Sequence, residues 1–131
     1  MSDYKIELGF TKLDKALKSL EQIANKPNQA DRSNIDATIQ RFEFTIELFW
    51  KLLRVILEGK GVEVQYPKDV LRESFKGHLI DHENQWLEML KDRNLTSHTY
   101  DEKLADEIFA RIKKYVVIFK ITFDQLRQNI L

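Results

Sequence analysis

Apolar residues recur every three or four positions over most of this chain, the repeat of helices with one face turned to a core. Phe10, Leu13, Leu17, Leu20 and Ala24 form the first stripe, and Lys12, Asp14, Lys15, Lys18 and Glu21 cover the other side. Lys26-Pro27-Asn28-Gln29 ends that helix, because proline lacks a backbone donor and disfavours helix in the residue before it. Asp31, Ser33 and Asn34 then offer N-caps for the next one. The second helix is the most apolar. Phe42, Ile46, Phe49, Leu53 and Ile56 make one stripe and Phe44, Leu48, Leu52 and Val55 a second, leaving Glu43, Glu47, Lys51, Arg54 and Glu58 in a narrow polar seam. A helix apolar over so much of its circumference buries more than one face. It lies at the centre of a bundle, or one stripe meets another subunit. Gly59 and Gly61 supply its C-terminal stop.

Pro67 is placed as the first residue of a short helix carrying Val70, Leu71 and Phe75, closed by Gly77. Asp81 can cap a further helix with Trp86, Leu87 and Leu90 on its inner face. Beyond it, Thr99 and Glu102 have capping-box spacing, with Asp101 as a rival cap. Leu104, Ile108, Ile112, Tyr115, Phe119, Leu126 and Ile130 run along a long last helix. The pattern predicts an all-α fold: one domain over residues 1–131, an up-and-down four-helix bundle with a short extra helix.

Composition agrees with long helices, since the chain has only 4 Gly and 2 Pro. With 43% hydrophobic and 32% charged residues it reads as an ordinary soluble chain. Its 21 basic and 21 acidic residues cancel, so no global field draws in nucleic acid or acidic lipid, although a local basic site remains compatible. The absence of cysteine excludes disulfides and thiolate metal sites. Met1-Ser2-Asp3-Tyr4-Lys5 contains no secretory apolar core, and no apolar run is long enough to span a bilayer. A cytoplasmic address without membrane contact is the expectation.

One stretch breaks the pattern. Carried forward by threes and fours, the stripe of Trp86, Leu87 and Leu90 lands on Arg93, Asn94 and Ser97, and His98 follows Asn94 by four residues. Polar groups on an inward face must be paired or cost about 1 kcal/mol or more each. Helices do often end in polar residues, and a histidine near a C-terminus interacts well with the helix dipole. Spacing alone therefore leaves a solvated helix end as an alternative to a site.

The segments Arg41 to Trp50 and Trp86 to Asn94, followed by Arg-x4-His-x-Tyr at Arg93, His98 and Tyr100, resemble the HEPN superfamily. The closest likeness is to the branch described as nucleotidyltransferase substrate-binding proteins. The resemblance covers the chain from the second helix to the start of the last. It implies a bundle that dimerises, bringing two copies of the motif helix together, and a small nucleotidyltransferase encoded alongside as partner. In many such pairs the HEPN protein is a ribonuclease toxin, which the transferase silences by moving AMP onto the motif tyrosine, here Tyr100. The other function of the branch is a non-catalytic subunit that presents a substrate to the transferase.

The side chains suit RNA cleavage without metal or other cofactor. A histidine, with an ordinary pKa of about 6.5, can take the 2′-OH proton or protonate the leaving oxygen. Arg93 offers a cationic fork to phosphate oxygens, and Asn94 an orienting hydrogen bond. On an ideal helix, residues five apart diverge by about 140°, so Arg93 and His98 converge only if the helix ends near Ser97 or a second subunit supplies one of them. Tyr100 would stand at the rim of such a cleft; without the resemblance it reads as an ordinary half-buried aromatic.

Other signals are weaker. His78 and His82 are four apart, but Gly77 and Asp81 interrupt the helix around them and no third ligand is near, so they read as solvated. Phe42, Phe44, Phe49 and Trp50 read as core and dimer interface rather than a base-stacking surface. Gly59-Lys60-Gly61 lacks the spacing of a phosphate loop. No Gly-Ser turn with paired carboxylates on strands is present, so the chain is not itself the transferase.

Overall fold

The computed structural model describes residues 3–26 and 32–131. Within them lie five α-helices and no strand: α1 (Asp3–Ala24), α2 (Ser33–Gly59), α3 (Pro67–Lys76), α4 (Glu83–Leu95) and α5 (Glu102–Ile130), with a 3-10 turn at Thr96–His98. The all-helical bundle read from the sequence is what forms. Among the described residues no helix is long and apolar enough to cross a membrane.

α2 packs against each of the other four helices. Phe42, Ile46, Phe49, Leu53 and Ile56 are all buried, so the first stripe answers the choice left by the sequence: it is the bundle centre. The rings form a continuous chain across the core. Phe42 stacks on Tyr115 at 5.6 Å, Phe49 on Phe119 at 5.4 Å, and Trp86 meets Phe49 edge-on at 4.8 Å. Burying each such side chain contributes roughly 1.5–3 kcal/mol. The second stripe divides. Leu52 is buried against α1, where a Cβ added at Gly9 would come within 2.8 Å of its Cδ1, whereas Phe44 remains 57% exposed.

The helix ends depart from the sequence expectation more than the helices do. Pro27 to Gln29 and the cap expected at Asp31 lie outside the described residues. At the start of α2 neither Ser33 nor Asn34 is the cap. Arg32 occupies that position in the left-handed region (φ 62°), with its guanidinium on Asp106 of α5 at 2.7 Å. A tertiary ion pair thus stands where a local side-chain cap was expected. Gly61 (φ 84°) ends α2, allowing Val62 N–H to reach Leu57 O and Gly61 N–H to reach Glu58 O. Pro67 opens α3 as expected, but the buried face runs Val70, Leu71 and Ser74, so Phe75 is exposed. His82 (φ 58°), not Asp81, precedes α4. Of the rival caps before α5, Asp101 prevails: its carboxylate accepts from Lys103 N–H at 3.0 Å and Leu104 N–H at 3.3 Å.

Candidate functional site

The inner face of α4 carries Trp86, Met89 and Asp92, and Thr96 follows at the turn. This corrects the stripe drawn through Leu87 and Leu90. Those leucines are half-buried on the flank, and the core positions run one residue out of phase, so that Asn94, Ser97 and His98 are exposed. The polar residue that replaces an apolar one in the core is Asp92, only 3% exposed.

Asp92 is fully engaged. Arg111 of α5 grips it with both arms of the guanidinium, Nε to Oδ2 and Nη2 to Oδ1, each at 2.8 Å. The Tyr115 hydroxyl donates to Oδ2 at 2.5 Å, with Glu88 Oε1 at 2.9 Å as a second acceptor. One proton cannot serve both carboxylates fully, and the shorter contact to Asp92 takes it. Hydrogen bonding to Asp92 raises the Arg111 pKa above its already high ordinary value. Burial first, then the bonds to Asp92 and Glu88, push the Tyr115 hydroxyl well above the usual tyrosine range. The guanidinium and the phenol, both raised, therefore keep their protons through the neutral range, and the cluster works as a strut rather than a proton relay.

The next residue, Arg93, faces α2. Its side chain is 34% exposed, and its Nε donates to Glu47 Oε1 at 2.9 Å. The other Glu47 oxygen accepts from Trp50 Nε1 at 3.2 Å. Glu47 thus fixes the direction of the guanidinium while the two Nη groups keep no protein partner among the described residues. Asn94 is exposed and lines a groove against α3. After Leu95 the chain tightens into the 3-10 turn, with the Thr96 hydroxyl on Arg93 O at 2.7 Å and that of Thr99 on Thr96 O at 3.0 Å. The ideal-helix divergence therefore stops applying before His98. The turn leaves His98 and Tyr100 outside, their rings 6.1 Å apart and edge-on, and Tyr100 is 84% exposed. Within one chain His98 and Tyr100 are brought together. Arg93 makes no hydrogen bond to His98 or Asn94.

His78 and His82 are exposed in the turn between α3 and α4, and no group of three metal-ligating side chains occurs among the described residues. The sequence did not mark Glu47, Asp92, Arg111 and Tyr115 as site residues. Met89 was the available signal: Trp86 and Met89 together set a phase that places Asp92 inside.

A helical bundle with an Arg-x4-His-x-Tyr motif at a helix-to-turn junction has the features of a HEPN domain. Residues 8–128 match the family described as nucleotidyltransferase substrate binding protein like. The chain belongs to this family. A Haemophilus influenzae protein named "Probable ribonuclease HepT" is 31% identical to it, over 94% of both chains. A structure from Thermus thermophilus superposes with a TM-score of 0.81 at 38% identity, covering 88% of this chain and 98% of the other. A second structure, from Haemophilus influenzae, is described as revealing the fold of a substrate binding domain of a nucleotidyltransferase. It gives 0.78 at 30% identity, covering 90% and 98%.

Proposed function

We propose that this chain is the HEPN-type partner of a small nucleotidyltransferase, and that it acts as a metal-independent ribonuclease toxin silenced by AMP transfer to Tyr100. The observation carrying this reading is the pairing of an exposed His98 with an exposed Tyr100, five and seven residues beyond an arginine whose Nη groups are unspent. In cleavage, one His98 removes the proton from a 2′-OH, whose oxygen attacks the adjacent phosphorus. The 5′ oxygen leaves with a proton from a second histidine, and the products are a 2′,3′-cyclic phosphate and a 5′-OH end. Arg93 donates to the phosphorane oxygens. A homodimer that apposes two motifs supplies the second His98. For silencing, the Tyr100 oxygen attacks the α-phosphorus of ATP, pyrophosphate leaves and the phenolic proton is released. A phosphate ester there would stand over the imidazole.

The second reading is a non-catalytic subunit that presents substrate to the transferase. It is favoured by the tie between Arg93 and Glu47, which offsets the motif's charge. One experiment separates them: RNA cleavage by purified protein and by His98→Ala, with and without the transferase and ATP. The toxin reading expects cleavage that is lost in the variant and suppressed as AMP mass appears on Tyr100. A folded, unmodified protein that leaves RNA intact would make the second the better account.

A further inference from the structure

α3 and α4 enclose a groove of about 440 Å³ that the motif chemistry does not use. Lys68 and Arg72 line it from α3, and Lys91 and Asn94 from α4, with the half-buried Leu87 and Leu90 between them. No carboxylate lines it. The acids of α3, Asp69 and Glu73, border a separate hollow on the far side of Arg72. Elsewhere cations are commonly neutralised in place, as Lys120 is by Glu21 at 2.6 Å and Lys18 by Asp14 at 3.0 Å. Lys68, Arg72 and Lys91 enter no ion pair among the described residues. In a chain whose 21 basic and 21 acidic residues cancel, three such cations around one groove with no carboxylate in its lining make a local positive site.

The groove also leads somewhere. Asn94 and Leu95 lie at its end, and Leu95 leads straight into the 3-10 turn that carries His98, so the groove runs out beside that turn. Lys68 and Arg72 lie four residues apart on one face of α3, a rise of about 6 Å, similar to one nucleotide step of an extended strand. The leucine floor asks for an apolar face on the ligand. A single-stranded base offers one, whereas a paired stack hides it.

We propose that this groove is the subsite for the RNA strand: Lys68, Arg72 and Lys91 hold its phosphates, and its bases lie over Leu87 and Leu90, delivering the scissile phosphate to Arg93 and His98. The inference rests on RNA being the substrate. It goes beyond that reading by assigning binding to residues outside the motif and a preference for unpaired strands.

The test uses the full chain carrying His98→Ala, so that bound RNA survives. Fluorescence anisotropy with a labelled single-stranded oligoribonucleotide is measured across a salt series. The same protein is then tested with Lys68→Gln, Arg72→Gln and Lys91→Gln together, and with Lys12→Gln on α1 as control. Three lost phosphate contacts at about 0.7 each lower the slope of log K against log salt by about 2. At low salt the triple variant binds at least tenfold more weakly, with unchanged melting temperature and light-scattering mass, and Lys12→Gln behaves as the parent. A triple variant with the parent's slope and affinity overturns this subsite and leaves the RNA reading intact. A parent that binds no RNA overturns both. If RNA binding persists in the triple variant while its complex with the transferase or its self-association is lost, the groove is a protein interface and the inference fails.

Discussion

The two halves of α4 are held by opposite chemistry. Trp86 and Met89 anchor its first half in the apolar core, with Trp86 against Phe49 and Phe119. Asp92 anchors its second half through a forked ion pair with Arg111 and a hydrogen bond from Tyr115. Apolar contact is strong but tolerates small rotations about the helix axis. A two-armed ion pair with a third bond fixes one rotation and one register. The directional anchor lies one residue before Arg93 and six before His98, the residues of the proposed site.

Truncation of the apolar half should have the largest effect on stability. Trp86→Ala removes a side chain with no exposed surface and is expected to cost about 3–5 kcal/mol in denaturant unfolding. Asp92→Ala should come next, at about 3 kcal/mol, towards the low end for a broken buried pair because Arg111, 32% exposed, can turn to solvent. A double variant, Asp92→Leu with Arg111→Met, should recover most of that loss. Recovery of stability with cleavage still impaired would show that the pair sets direction rather than holding the fold together. Recovery of both would mean that packing alone positions the turn.

Tyr115→Phe is expected to cost about 1.5–3 kcal/mol at neutral pH, the worth of a hydrogen bond to a charged acceptor. Its pH dependence has a definite sign. The folded-state pKa of Tyr115 is raised by burial and by its carboxylate partners, so its contribution is fully present below the unfolded value of about 10 and is lost as pH rises above it. Unfolding curves between pH 9 and 11 should therefore show the gap between wild type and Tyr115→Phe narrowing; a constant gap would contradict the strut assignment. Smallest in stability is Glu47→Gln, about 0.5–1 kcal/mol or less, since both partners of its ion pair are about a third exposed. If Glu47 aims the guanidinium, RNA cleavage should fall far more than melting temperature does. Equal, slight changes in both would reduce Glu47 to a surface contact.

Periodicity located the helices and most of the core, because apolar burial acts over whole faces and survives errors in detail. Phe10, Leu13, Leu17 and Leu20 on α1, and the five-residue stripe of α2, are buried as their spacing requires. α4 was harder: only 13 residues long, with leucines on its flank, it allows two phases, and the choice between Leu90 and Met89 moved every site residue by about 100°. The caps were harder still. Asp81, Thr99 and Ser33 had suitable chemistry, but a cap is decided by the path of the chain into its helix. At α2 the cap position is taken by Arg32, whose guanidinium reaches Asp106, seventy-four residues away in sequence.

Residue order alone was enough for an all-helical chain, a first helix stopped near Pro27, an unusually apolar α2, and a motif of Arg93, His98 and Tyr100 at a helix end. These follow from local repeat, backbone restriction and residue type. Packing in three dimensions was needed to turn Asp92 inward and Asn94 outward, to bring Glu47 to Arg93, and to gather Lys68, Arg72 and Lys91 on one groove. Each of these arrangements depends on how helices distant in sequence rotate and pack against one another, which one-dimensional spacing does not carry.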